Sequence, residues 1–180
     1  AIGQYKTDAG PQDCDSCPTH SINSAAGSMD VKDCVCNPGF SGLITKGSDA
    51  CTECEAGQYL GSSAASCIAC PANSNTMVWS QGCSENGAAC TDPSDCVCTK
   101  GYSGTIAKPD DKCTACAVGQ YKQTSDVGDC VKCPADSTTA GTTSTDIQEC
   151  FCTAGYSGII TKPADTCTSC SKGQYDDGTQ

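Results

Sequence analysis

Six Cys-x-x-Cys motifs, at Cys14/Cys17, Cys51/Cys54, Cys67/Cys70, Cys113/Cys116, Cys130/Cys133 and Cys167/Cys170, hold the side chains of this chain best suited to chemistry. Two thiolates at that spacing can supply half of a tetrahedral zinc site or cycle as a redox dithiol, and paired thiols can instead close structural disulfides. The surroundings decide among these. Three Cys-x-Cys pairs, Cys34/Cys36, Cys96/Cys98 and Cys150/Cys152, add thiols that a zinc site does not need, and His20 is the only histidine. A thioredoxin-like dithiol needs a strand-helix-strand setting, whereas Gly, Pro, Ser, Thr, Asn and Asp punctuate this chain every few residues. Structural disulfides are expected, with no metal and no cofactor.

Composition gives the cysteines their purpose. Leu, Ile, Val and Phe number 19 in 180 residues, too few for a packed core of that size, while the 20 cysteines are about one residue in nine. In the chain-entropy picture a disulfide closing a loop of about 15 residues contributes ~3 kcal/mol, so many such loops offset an ordering cost that little apolar burial covers. Such frameworks form in oxidising compartments, which places the chain outside the cell or on its surface. The net charge of −11, with ten Lys and no Arg, leaves no basic stripe for nucleic acid or anionic lipid. No apolar run approaches the roughly 20 residues of a membrane span. No signal peptide precedes Ala1, so a secretion signal is expected beyond these residues. A nucleophile-base-acid set and a phosphate-cradling glycine loop are both missing, and an enzyme is not expected.

The elements that position the cysteines repeat. Gly-Gln-Tyr begins at Gly3, Gly57, Gly119 and Gly173, giving periods of 54, 62 and 54 residues, the mark of stacked modules. Repeat 1 covers 1–54, repeat 2 covers 55–116, repeat 3 covers 117–170, and 171–180 opens a further unit. Repeat 2 carries an insertion with Cys83 and Cys90, expected to close on each other, and Trp79 just before it either covers that loop or contacts a neighbouring chain. Ala1 is in phase with Glu55, so a cysteine is expected immediately before it, as in a piece of a longer repetitive protein. No helix is expected. Short two-stranded ribbons are predicted around Cys-x-Cys and around Gly158-Ile-Ile-Thr161, where β-branched residues meet.

Spacing alone does not fix pairing, but repetition narrows it. Pairing each cysteine with the next gives Cys17–Cys34, Cys36–Cys51, Cys54–Cys67, Cys70–Cys96 around Cys83–Cys90, Cys98–Cys113, Cys116–Cys130, Cys133–Cys150 and Cys152–Cys167. Cys14 and Cys170 are then left for partners outside the sequence. The segment Cys98-x-x-Gly101-Tyr102-Ser103-Gly104, with its copies at Cys36 and Cys152, resembles the C-terminal half of an epidermal-growth-factor-like (EGF-like) module. The wider plan, Cys-x-x-Gly-Gln-Tyr, then Cys-x-x-Cys-Pro, then Asp/Glu-Cys-x-Cys-x-x-Gly-Tyr, is similar to the ephrin-receptor-like cysteine-rich repeat. That resemblance covers nearly the whole chain. It implies a small disulfide-rich fold: an elongated tandem array of cysteine-rich modules, with little regular secondary structure beyond short β-ribbons, and no catalysis. The growth-factor pattern also implies a rival, interleaved pairing that would join Cys54–Cys70 and Cys67–Cys96.

Three further sets recur in phase. The acids Asp30/Asp33, Asp92/Asp95 and Asp146/Glu149 precede each Cys-x-Cys, where they either cap turns or supply part of a calcium shell. Lys46/Asp49, Lys108/Asp111 and Lys162/Asp165, if they pair, are surface ion pairs of small value, the alternative being contact with the next strand of an assembly. Ser41, Ser103 and Ser157 in Gly-aromatic-Ser-Gly are candidate O-glycosylation sites, as similar tetrapeptides are in growth-factor-like modules, and Thr138–Thr145 adds further acceptors. Tyr5, Tyr59, Tyr121 and Tyr175, with Phe40, Tyr102 and Tyr156, are expected to form a small apolar seam over each disulfide. The function this points to is a structural subunit of an extracellular fibril, flagellar hair or cell-surface coat, self-associating into a filament or array. The competing class is a receptor or adhesion ectodomain that binds a protein ligand.

Overall fold

In a computed structural model of the chain, residues 1–61, 66–76 and 90–174 are described. Each repeat contributes six strands of two or three residues, in the same order. Repeat 1 holds β1 (Gln4–Tyr5), β2 (Asp15–Ser16), β3 (Ser21–Asn23), β4 (Cys34–Cys36), β5 (Phe40–Ser41) and β6 (Thr52–Glu53). Repeat 2 holds β7 (Gln58–Tyr59), β8 (Ile68–Ala69), β9 (Ser74–Thr76), β10 (Cys96–Cys98), β11 (Tyr102–Ser103) and β12 (Thr114–Ala115). Repeat 3 holds β13 (Gln120–Tyr121), β14 (Val131–Lys132), β15 (Ser137–Thr139), β16 (Cys150–Cys152), β17 (Tyr156–Ser157) and β18 (Thr168–Ser169). The helical content of the described residues is three 3₁₀ turns, Val31–Asp33, Pro93–Asp95 and Ile147–Glu149.

The chain clusters into two compact units, Ala1–Cys70 with Thr76–Cys96, and Pro71–Asn75 with Val97–Gln180. In the first unit β1 pairs with β2, β3 with β4, β5 with β6 and β7 with β8, all antiparallel. In the second, β11 pairs with β12, β13 with β14, β15 with β16 and β17 with β18 in the same way. Isolated ribbons this short do not hold in water. Disulfides hold them. The first unit contains Cys17–Cys34, Cys36–Cys51, Cys54–Cys67 and Cys70–Cys96, and the second contains Cys98–Cys113, Cys116–Cys130, Cys133–Cys150 and Cys152–Cys167. Their sequence separations run from 13 for Cys54–Cys67 to 26 for Cys70–Cys96.

What apolar burial there is gathers on those sulfurs. In the first unit Tyr5, Val31, Cys34, Ile44 and Cys51 form one small cluster, with Cys17, Cys36 and Phe40 packed against it. In the second, Tyr121, Ile147, Cys150 and Ile160 form another, with Cys133 and Cys167 against it. The tyrosines of β1, β7 and β13 are buried, and Phe40, Tyr102 and Tyr156 are half-buried, as a seam over the cross-links requires. Tyr175 lies outside the described residues, as do Trp79 and Cys83, so the expected Cys83–Cys90 closure lies outside them too.

One expected ribbon does not form. The segment Gly158-Ile-Ile-Thr161 has no strand, and the equivalent place in repeat 2 makes only a single-residue bridge, Val97 to Thr105. Two demands on the backbone explain this. Ile160 turns inward to the apolar cluster, and the Thr161 amide is taken by the Asp165 carboxylate. The partner of β18 is instead Tyr156–Ser157, two residues earlier.

Candidate functional site

Each residue of the Gly-Gln-Tyr triplet has a separate task. The tyrosine fills the apolar cluster. The glutamine side chain accepts from the backbone three residues earlier, Glu55 N to Gln58 Oε1 at 3.2 Å and Ala117 N to Gln120 Oε1 at 3.3 Å. The glycine amide donates to a buried side chain some 20 residues on: Asn23 Oδ1 in repeat 1, Thr76 Oγ1 in repeat 2 and Thr139 Oγ1 in repeat 3, at 2.9 Å for each threonine. All three acceptors are almost completely buried. Composition hides this latch, because an amide and a hydroxyl fill one role; only the shared phase of the three positions could have exposed it.

The recurrent acids cap turns. Asp33 Oδ2 accepts from Met29 N and Asp30 N, and Asp30 Oδ1 accepts from Lys32 N at 2.9 Å. Asp92/Asp95 and Asp146/Glu149 repeat the arrangement, so each 3₁₀ turn carries a reciprocal capping box. The amides of Ser94, Gln148 and Thr145 hold the carboxyls of Asp92, Asp146 and Glu149 below the usual carboxylate range. Among the described residues no group of three or more His, Cys, Asp or Glu side chains is placed to hold a metal ion.

The expected Lys/Asp ion pairs take another form. Asp49, Asp111 and Asp165 each accept two backbone amides, from Thr45 and Lys46, Ala107 and Lys108, and Thr161 and Lys162, at 2.7 to 3.0 Å. Here the lysine lends its amide, because a carboxylate gains more from two fixed N–H dipoles than from a flexible ammonium in water. Those amides lower the pKa of all three carboxyls. The ion pair found among the described residues is Lys122 to Asp126, 3.3 Å, with the lysine buried and its Nζ also donating to the Asp126 carbonyl at 2.6 Å. Lys6 does the same in repeat 1, donating to the carbonyls of Gly10 and Gln12. Each lysine thus threads its own loop like an internal bolt.

Within the second unit, Gly101 N donates to Lys122 O and Thr143 N to Cys116 O, which ties repeat 2 to repeat 3. Gly101 has φ +76, and a Cβ there would collide with the Thr143 carbonyl. His20, at φ 60, stacks on Phe40 with ring centroids 4.2 Å apart. Of the three candidate serines, Ser157 is exposed, while Ser41 and Ser103 are half-buried and Ser41 Oγ lies 3.1 Å from Cys67 Sγ. Cys14 is exposed, Cys170 is half-buried, and neither is in a disulfide.

The arrangement is a disulfide-closed framework, and in sequence it has relatives. Residues 104–150 match the family model described as tyrosine-protein kinase ephrin type A/B receptor-like. The chain is a tandem of disulfide-rich modules of extracellular type, and the matched stretch is similar to the ephrin-receptor-like repeat. It is 28% identical over 180 residues to Cysteine repeat modular protein A of Toxoplasma gondii, covering 94% of this chain and 5% of that protein. It is 31% identical over 159 residues to Cysteine repeat modular protein B of the same organism, covering 85% of this chain and 2% of that protein. A shorter match, 35% identical over 82 residues, joins 41% of the chain to 2% of the mouse (Mus musculus) sushi, von Willebrand factor type A, EGF and pentraxin domain-containing protein 1. The chain therefore spans a small fraction of the curated relatives it matches. No described helix is long and apolar enough to cross a membrane.

Proposed function

We infer that this chain is a structural segment of a surface fibril, hair or coat, whose work is to hold a stiff, protease-resistant spacing between the parts it joins. The observation that carries this reading is the run of short disulfide-closed loops, each cross-link following the last along the chain, with only small apolar clusters beside them. Similarity to proteins named for modular cysteine repeats supports a role shared among many copies. The three sequence repeats act as the units of spacing.

Within this reading Cys14 and Cys170 are halves of cross-links completed by neighbouring repeats. Cys14 has the repeat position of Cys67 and Cys130, and Cys170 that of Cys54 and Cys116, which are bonded to each other in those pairs. The backbone around both halves is already folded the same way: Cys17 N and Cys70 N donate to Gly3 O and Gly57 O, and Cys116 N and Cys170 N to Gly101 O and Gly155 O. Ser157, the exposed member of its set, is the first candidate for an O-linked sugar. Electron microscopy of native material tests the reading. Long regular filaments or a continuous coat support it, and isolated membrane-attached stalks favour an adhesion ectodomain instead.

A further inference from the structure

Two joints between successive repeats can be compared position by position. In the second unit Gly101, Cys116 and Lys122 meet where repeat 2 passes into repeat 3; in the first unit Gly39, Cys54 and Leu60 hold the same repeat positions where repeat 1 passes into repeat 2. Both joints carry the same cross-link, Cys116–Cys130 in one and Cys54–Cys67 in the other. Both also keep one backbone bond, Lys122 N to Ser144 O and Leu60 N to Cys90 O.

The rest differs. In the second unit Gly101 N donates to Lys122 O and Thr143 N to Cys116 O, each at 3.0 Å, and Gly101, Cys116 and Lys122 are all buried. In the first unit neither the Gly39 amide nor the Cys54 carbonyl makes a hydrogen bond among the described residues, and Gly39, Cys54 and Leu60 are all half-buried. The side chains differ in the same sense. Lys122 is locked to Asp126 of its own loop, whereas Leu60 has no charge to lock with. The Asp146 carboxyl is held below its ordinary range by the Gln148 amide, the Gln123 side chain and the charge of Lys100 across the joint. Pro38 stands in place of Lys100 and offers Asp92, in place of Asp146, no charge. What the first joint has instead is space: Pro38, Phe40 and Leu43 of repeat 1 line an open groove of about 700 Å³ together with Leu60, Gly61 and Thr91 of repeat 2.

We propose that the joint between repeats 1 and 2 is a hinge, and that the joint between repeats 2 and 3 is locked by Lys100, Gly101 and Lys122. In a tandem array each contact acts only between neighbours, so a joint without its backbone bonds and charge attraction loosens while the modules on either side stay folded. The Cys54–Cys67 cross-link keeps the two repeats joined as they turn, and the groove is the room in which they turn. The hinge is a property of the single chain and stands apart from any assembly.

The test is nuclear magnetic resonance of the oxidised, isotope-labelled chain in a weakly aligning medium, with Cys14→Ser and Cys170→Ser to keep copies separate. Amide dipolar couplings from residues 97–116 and 117–170 should fit one alignment tensor, while residues 1–54 should need a tensor different from that of residues 55–70. The Gly101 amide should exchange at least about tenfold more slowly than the Gly39 amide. Lys100→Ala, at an exposed residue, should speed Gly101 exchange about threefold, and Lys100→Ala with Lys122→Leu should give 117–170 a tensor of their own. Disulfide mapping of the variants checks that they fold. One tensor for all of residues 1–70, equal exchange at Gly39 and Gly101, or variants that leave the second joint as it was would overturn the hinge. Native filaments, or their absence, bear on the structural role alone.

Discussion

Carboxylates cap turns in all three repeats among the described residues, and their protonation has a direction. Asp49, Asp111 and Asp165 lie below the ordinary Asp value of 3.8 because the amides of Thr45, Ala107 and Thr161 donate to them. A folded-state pKa below the unfolded one gives stability that is complete above the ordinary carboxylate range and is lost as pH falls through the lowered values. The melting temperature of the oxidised chain should therefore be level from about pH 7 to about pH 5 and fall below about pH 4. A variant with Asp49→Asn, Asp111→Asn and Asp165→Asn should show a smaller acid-induced fall; an unchanged acid response would refute the capping role. At Gly101, φ +76 and the Thr143 carbonyl leave no room for a side chain. Gly101→Val should cost ~1–3 kcal/mol, seen as faster amide exchange at Gly101 and Thr143 than elsewhere in the second unit.

At the scale of elements, the ribbons depend on a latch between the turn before one strand and the end of another. Gly119 N donates to Thr139 Oγ1, which is 2% exposed and itself donates to Gly141 O at 2.8 Å. Thr139→Val leaves a buried amide without an acceptor and should cost ~1–3 kcal/mol by thermal unfolding. Thr139→Asn should recover much of that loss, since Asn23 fills the same role in repeat 1. If both variants melt alike, the latch is not the cause. The fold class was legible here because Cys-x-Cys flanked by turn formers leaves the chain few choices, and β4 and β16 form there. The latch was not legible, since Asn and Thr differ in type and sit in polar stretches. Gly158-Ile-Ile-Thr161 misled through β propensity, which buried packing of Ile160 overrode. Lys6 and Lys122 gave no signal either, because a lysine inside its own loop has the same sequence as one in water.

On the scale of the whole molecule, the small apolar clusters of the described residues cannot by themselves order this much chain, and covalent closure of short loops substitutes for them. Removing one cross-link should act locally. Cys116→Ser with Cys130→Ser opens a loop of separation 14 and should cost about 2–4 kcal/mol. The loss should be confined to the second unit in amide exchange. Full reduction should unfold both units. The net charge of −11 gives an acidic surface that disfavours indiscriminate association.

The central claim is that sulfur cross-links in sequence order give this chain its shape, and non-reducing peptide mapping of the native protein under thiol-blocking conditions measures it most directly. The account predicts peptides joined as Cys54–Cys67, Cys70–Cys96, Cys116–Cys130 and Cys133–Cys150. Peptides joined as Cys54–Cys70 and Cys67–Cys96, or these cysteines recovered as blocked free thiols, would contradict it.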